Sequence, residues 1–297
     1  MKQYSRLQDL PKGRADESIT EGTLVLEGGA WKGVYTVGVL DTLMLHNINF
    51  RTTVGISAGA MCGVTYLTGQ IGYSAYLDLT LRHDPRYVGL SALKRDHGIT
   101  GFSYLYRDIP KEMPLDKTRL NASPRRLVVG ATNMLTGKTE YFEKGKCNLS
   151  KAVRASATVP FLSKPVMIDG TPYIDGGCSV KIPYPWAKEQ DEKKIIVVKT
   201  RELSYRRNEK PNKIARLFYK DFPNFIEAME NTNRDFNLMT EELIKEEAKG
   251  NIFLVAPSEK VAVTRFESDM EKLGELYWLG RHDMEERIGE LRSYLER

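Results

Sequence analysis

Residues 53–63 read TVGISAGAMCG, and the local rhythm changes at Ser57. Arg51 to Ile56 is a short extended run, whereas Ala58 to Leu67 has the small and apolar spacing of a buried helix. A Gly-x-Ser-x-Gly sequence at a strand-to-helix corner is the pattern of a nucleophile elbow. Gly55 and Gly59 remove side chains that would clash in the tight turn and leave the Ser57 oxygen exposed above a sheet. The helix that follows directs the free N–H groups of its first turn at the same spot.

Reading outward, Thr23 to Glu27 is a short buried strand, and Val34 to Leu45 is a helix with Val37, Leu40 and Met44 on one stripe. Strand, helix, strand, helix at this spacing implies parallel pairing, so the fold class is α/β, with a central mostly parallel sheet flanked by helices. Further strands are expected at Leu127–Ala131, Thr139–Phe142, Ile195–Lys199 and Ile252–Val255, and a short helix at Leu149–Ala157. Asp169-Gly170 between Val166–Ile168 and Pro172–Ile174 signals a hairpin. The aromatic-rich stretch from Tyr73 to Lys117 reads as helical packing or as a wall of a cleft. Phe225, Met229, Phe236 and Leu243 recur at helical spacing, and the charged segment from Phe266 onward reads as a helical appendage. Three parts are expected: a polar, loosely held arm (1–22), a core (23–200), and a mostly helical C-terminal region packed on it (201–297).

The chain of 297 residues is long enough to bury a large core, and 41% hydrophobic with 28% charged residues is ordinary for a soluble globular protein. Lys and Arg (44) exceed Asp and Glu (39) only mildly, with much of the excess between Lys188 and Lys220. That stretch suits a solvated loop and helix face, with adsorption to an anionic membrane surface as the functional alternative; no nucleic-acid partner is expected. Three cysteines without ligand spacing point to reduced thiols and a cytoplasmic setting. The N-terminus lacks the apolar stretch of a signal peptide, and no window approaches the roughly 18 apolar residues of a membrane span.

Two further stretches carry chemistry. Glu27-Gly28-Gly29-Ala30-Trp31-Lys32-Gly33 lies between a strand and a helix, where backbone N–H groups receive a phosphate or a developing oxyanion. A dinucleotide loop would want a glycine at Ala30 and a carboxylate at the end of the second strand, where Ser57 stands instead. Tyr173-Ile174-Asp175-Gly176-Gly177 is either a simple turn or a catalytic carboxylate that backbone and substrate can approach closely. Ser57 needs a base, because a serine hydroxyl is barely ionised at neutral pH. Of His46, His83, His97 and His282, only His282 gives the chain order of a hydrolase triad, an alternative that is poorly placed because one strand precedes the Ser57 strand where that fold normally builds several.

GGAWKG, then GISAG, then DGG far downstream resembles the patatin-like phospholipase family, closest to its small bacterial members. VVGATNMLTGKTEYF and RASATVPFLSKPV extend the likeness, which covers roughly residues 23–200. The resemblance implies a lipid acyl hydrolase that uses a serine–aspartate dyad without histidine, needing no metal and no cofactor. It implies Ser57 as nucleophile and Asp175 as base, with oxyanion donors from Gly28, Gly29 and Ala30, and Gly33, Gly55, Gly59, Gly176 and Gly177 as supporting glycines. Two departures are visible. Ala30 stands where a glycine is usual, and its N–H serves with the backbone outside the positive-φ region. Lys181, six residues after Asp175, stands where many members have asparagine. The expected substrate is a phospholipid or related ester met from the water side, with peripheral contact at an anionic membrane. An esterase or acyltransferase on the same dyad is the enzymatic alternative, and a membrane-adsorbing protein with a vestigial site the non-catalytic one. Lys32 reads either as a phosphate contact or as a surface residue at the helix start, Trp31 as an acyl-pocket wall or a cover, and Cys62 and Cys178 as packing.

Overall fold

Leu24, Val25 and Leu26 are inaccessible to solvent, and they belong to the central one of the five parallel strands of the sheet. The structure is a computed structural model that describes residues 2–109, 114–190, 192–211 and 213–297, the side chain of Lys213 excepted. Within the basic stretch read above, Asp191, Asn212 and that side chain therefore lie outside the described residues. The strands are β1 (Gly13–Arg14), β2 (Thr20–Leu26), β3 (Phe50–Ile56), β4 (Gln70–Ile71), β5 (Arg126–Asn133), β6 (Thr139–Glu143), β7 (Val166–Ile168), β8 (Thr171–Asp175), β9 (Ile195–Val198) and β10 (Phe253–Val255). The helices are α1 (Gly33–Leu45), α2 (Ala58–Thr68), α3 (Tyr73–Leu81), α4 (Leu90–Asp96), α5 (Lys117–Ala122), α6 (Leu149–Ser156), α7 (Tyr184–Glu189), α8 (Lys213–Phe218), α9 (Pro223–Ala248) and α10 (Met270–Glu296).

The main sheet runs β10-β9-β2-β3-β5-β8-β7, with β6 also paired to β5. β10, β9, β2, β3 and β5 are parallel; β6, β8 and β7 join as antiparallel partners. The sheet is mostly parallel, as the alternation of strands and helices implies. The β7–β8 turn takes positive φ at both Asp169 (48°) and Gly170 (82°), as the tightest hairpins require. Leu24 and Leu26 face α1, α2 and α10, while Val25 faces α7 and α9, so alternate residues of a fully buried strand serve two helical layers.

From Gly33 to Met44 every residue of α1 is buried, more than the single apolar stripe predicts. The reason is α10, which covers the outer face of α1. Tyr35 Oη donates to Asp283 Oδ2 (2.9 Å), and Tyr277 Oη donates to Asp41 Oδ2 (2.8 Å). Burial pushes the Asp41 carboxyl up to about 6, although the Gly72 N–H and the Tyr277 hydroxyl hold it down. The C-terminal segment also supplies β10 to the sheet edge. The N-terminal arm is held more tightly than its polar sequence predicts. Its Tyr4 is 5% exposed, packs on Gly274 of α10 and donates its N–H to Leu79 O, and β1 pairs with β4. The stretch after Tyr73 both packs and lines a cleft: Leu77, Tyr87, Tyr104 and Ile109 form a small core of their own.

The α1–α10 crossing leaves no room at Gly280, where a Cβ would stand 2.2 Å from Tyr35 O. We expect Gly280→Ala to cost about 2 kcal/mol or more by forcing the helices apart. A urea midpoint within error of the parent, at unchanged slope, would remove this contact as a constraint on the fold.

Candidate active site

β3 ends at Ile56, and Ser57 takes φ 53° and ψ −119° at the corner before α2. For a residue with a Cβ this conformation costs about 1–3 kcal/mol and persists only where its surroundings over-determine it. Three contacts do so here. Ser57 N–H donates to Ser156 Oγ (2.8 Å), and the Ser156 hydroxyl donates to Gly130 O (2.6 Å). On the other side of the corner, a Cβ on Gly59 would lie 2.5 Å from Leu26 O, so α2 can start against the end of β2 only without one. Ser156 was within reach of sequence reading as the serine of RASATVP, but nothing local there shows that its partner is the elbow.

Register brings the carboxylate to the hydroxyl. β5 lies between β3 and β8, with Gly130 opposite Ile56 and Ala131 opposite Asp175. Ser57 and Asp175 thus emerge at the same level, one strand apart, and Ser57 Oγ donates to Asp175 Oδ2 at 2.8 Å. Asp175 Oδ1 accepts the Gly177 N–H at 2.8 Å. Burial raises the Asp175 carboxyl, against the opposing pull of Arg265, Ser57, the Gly177 N–H and Lys181, so it ends more basic than an ordinary aspartate. Lys181 holds the turn: its ammonium donates to Gly177 O (2.7 Å) and Thr232 Oγ1 (2.8 Å), and burial pulls it down to about 8. Among the described residues, no histidine lines the cleft. His282 is exposed on α10, His46 meets Glu285 at 2.9 Å, His83 meets Ser268 O at 2.8 Å, and His97 ends α4.

The glycine loop follows β2. Gly28, Gly29 and Ala30 line the same cleft as Ser57 and Asp175, but they are not equivalent. Gly28 N–H already donates to Lys181 O at 3.0 Å, which removes it from the expected set of oxyanion donors. The N–H groups of Gly29 and Ala30 meet no acceptor among the described residues. Ala30 has φ 50°, so the expectation that its backbone stays out of the positive-φ region is corrected. The methyl is tolerated at about the 1–2 kcal/mol that a left-handed residue with a Cβ costs. Gly33 opens α1, Gly55 is the penultimate residue of β3, and Gly176 and Gly177 form the turn after Asp175.

The cleft encloses about 590 Å³, within the range of small-molecule sites. Trp31, Met61, Leu77, Tyr87 and Leu105 give it an apolar lining. Cys62 and Cys178 also border it, and burial pushes both thiols up, away from nucleophilic reactivity. Lys32 is not a surface residue: it is 6% exposed and faces the cleft. The basic stretch read as a solvated loop likewise turns inward in part, because Arg201 and Arg207 line the cleft together with Arg265. Among the described residues no group of three His, Cys, Asp or Glu side chains is placed to hold a metal ion. No helix among them is long and apolar enough to cross a membrane.

Residues 24–186 match the patatin-like phospholipase family model, more than half of the chain. The chain belongs to the patatin-like phospholipase family. Residues 222–296 match a domain of unknown function, DUF6363, which spans α9, β10 and α10. The uncharacterized protein YjjU of Escherichia coli is 30% identical over 182 residues, which are 60% of this chain and 51% of YjjU. A probable lipid hydrolase, 463L, of Invertebrate iridescent virus 6 is 26% identical over 240 residues, 72% of this chain and 80% of that protein. The chain thus spans about half of the bacterial relative's length and four-fifths of the viral one's. VipD from Legionella pneumophila aligns structurally with 97% of this chain and 68% of its own, at 13% identity and a TM-score of 0.44.

Asp175 is a buried carboxyl whose affinity for its proton rises on folding. Its stabilising contribution is therefore complete below the ordinary carboxylate range and is lost as pH rises through its raised value. Asp175→Asn mimics the protonated form at every pH and keeps an acceptor for Gly177. We expect it to be more stable than the parent at pH 8 by roughly 1 kcal/mol, the scale of relieving one strained functional group. The gap should narrow as pH falls. Calorimetric Tm values across pH test this, and a lower Tm for the variant at pH 8 would contradict it.

Proposed function

We propose that the chain is a serine lipid acyl hydrolase working with a Ser57–Asp175 dyad. The observation that carries this reading is the 2.8 Å hydrogen bond from Ser57 Oγ to a buried, proton-hungry Asp175. Asp175 Oδ2 takes the Ser57 proton as Oγ attacks the ester carbonyl carbon. The carbonyl oxygen becomes an oxyanion and is received by the N–H groups of Gly29 and Ala30, which need no reorganisation to meet it. Collapse breaks the bond to the leaving alcohol, whose oxygen takes the proton back from Asp175. Water then attacks the acyl-Ser57 carbonyl, again giving its proton to Asp175, and the fatty acid leaves as Ser57 is restored. No step calls for a metal ion or cofactor.

The apolar lining suits an acyl chain. The lipid surface is met at α8, where Leu217 and Phe218 are 78% and 60% exposed between the exposed Lys210 and Lys220. Phe218 packs edge-on against Phe161, which lines the cleft, so this face leads to the site. Apolar side chains flanked by lysines suit peripheral contact with an anionic membrane.

The dyad is separated from a triad by two substitutions. Asp175→Asn should lower turnover of a nitrophenyl butyrate by about a thousandfold or more, the loss of a positioned base and its charge. His282→Ala should change it less than about threefold, as for an exposed residue away from the chemistry. A fluorophosphonate probe should label Ser57 in the parent protein. A folded but inactive His282→Ala, or labelling confined to another serine, would overturn the assignment.

A further inference from the structure

Arg201 and Arg207 follow β9 and Arg265 precedes α10, so all three arrive from outside residues 24–186 that the family model matches. With Lys32 of the glycine loop they line one cleft beside Ser57. Buried cations are ordinarily paired. Here, among the described residues, the buried Lys32, the half-buried Arg201 and Arg207 and the exposed Arg265 all lack a carboxylate within ion-pair distance, whereas the neighbouring Lys199 is matched by Glu27 at 3.7 Å. Lys32 is 6% exposed, and its ammonium donates to no described residue. The Arg207 guanidinium lies 4.6 Å from the Phe236 ring centre, and its Nε is buried with no acceptor. Arg201 Nε is likewise buried and unmatched, with the other arm of the guanidinium donating to Val261 O at 2.5 Å. Crowding of like charge is felt: burial first, then Arg201, Arg207 and Arg265, pull the Lys32 ammonium down to about 8.

Unmatched guanidinium and ammonium donors converging in a cleft are a receptor lacking its anion. Planar guanidinium forks suit the oxygens of a phosphate group. The position limits what carries that phosphate. Arg265 lies close enough to Asp175 to lower its carboxyl, so the anion sits near the reacting centre. Resting on the hydrolase reading above, we propose that Lys32, Arg201, Arg207 and Arg265 form a subsite for the phosphate of an acyl lipid, with the phosphate a few bonds from the ester that Ser57 attacks. Neutral acylglycerols leave the subsite empty and are the poorer ligands.

The test uses probes without a carboxylic ester, so that binding is read independently of hydrolysis. Monododecyl phosphate, uncharged 1-O-dodecylglycerol and inorganic phosphate are titrated into the full-length protein by calorimetry below their aggregation limits. Monododecyl phosphate should bind about tenfold or more tightly than the uncharged ether, the scale of a few charge-assisted hydrogen bonds. Arg265→Gln and Lys32→Met should each bring that ratio down by about tenfold. Arg265 is exposed, so its variant serves even where Lys32→Met fails to fold. Equal affinity for the two amphiphiles overturns the subsite. Inorganic phosphate binding as tightly as monododecyl phosphate overturns its assignment to a lipid headgroup. Nitrophenyl butyrate turnover on the same preparation keeps the readings apart. An active enzyme without amphiphile selectivity sinks the subsite alone, and selective binding without turnover sinks the hydrolase reading alone.

Discussion

The corner at Ser57 is the constraint around which the structure is arranged. A serine at φ 53° will not stay there for local reasons, and a relaxation toward helix would carry its hydroxyl away from Asp175. The corner is held by one hydrogen bond from its own backbone to Ser156, 99 residues further along the chain, and by close approach of α2 to the end of β2. Ser156 in turn leans on Gly130 O, in the strand that separates Ser57 from Asp175. The same strand therefore fixes the strained turn and sets the level at which the carboxylate arrives. Strain, register and the 2.8 Å Ser57–Asp175 contact form a single arrangement, so a change at Gly130 or Ser156 reaches all three.

A second buried contact ties the C-terminal region to the glycine loop. Glu27, the last residue before Gly28, accepts the Thr200 N–H at 2.8 Å and lies 3.7 Å from Lys199 Nζ, with both side chains sealed from solvent. Lys199 also donates to Thr240 Oγ1 of α9 at 3.1 Å and lies over the Phe236 ring. A buried ion pair is a poor stabiliser compared with packed apolar residues of the same size, yet breaking it on one side costs about 3–5 kcal/mol. Its place suggests what it is retained for. It pins the root of the loop carrying Gly29 and Ala30 to β9 and to α9, and α9 contributes Thr232 to the Lys181 ammonium that steadies the turn after Asp175. The helices beyond residue 200 thereby act on both sides of the site.

Features set by neighbours in sequence were legible, and features set by distant partners were not. The elbow is read from Gly55, Ser57 and Gly59 together with the change from strand to helix around them, and the glycine loop and the Asp-Gly-Gly stretch are marked by their glycines, so these stretches could be picked out before any packing was known. Sequence spacing also gave the parallel order of the first strands. It could not show that Gly28 spends its N–H on Lys181 O, because the acceptor lies far along the chain. Nor could it show Ala30 at positive φ, since alanine is not a residue that advertises that conformation. The tail and the arm looked peripheral because charged and polar residues dominate them. What decides their packing is a handful of residues such as Tyr4, Tyr277 and Asp283, which match positions on α1 and α10 that no local pattern connects.

The basic wall of the cleft bears on how a lone carboxylate can act as a base. Burial makes Asp175 more basic than an ordinary aspartate, and Arg265 and Lys181 offset part of that gain. Among the described residues Arg265 has no carboxylate within ion-pair distance, and its charge is felt at Asp175. A phosphate seated among Arg201, Arg207, Arg265 and Lys32 takes up that field and excludes water from the same side. Both changes strengthen the base at the moment the ester is in place. On the proposed reading, substrate carrying the phosphate contributes to the proton transfer it needs, whereas a neutral ester leaves that offset in place. Under that proposal, charge in the cleft links selection of the lipid to the strength of the Ser57–Asp175 pair.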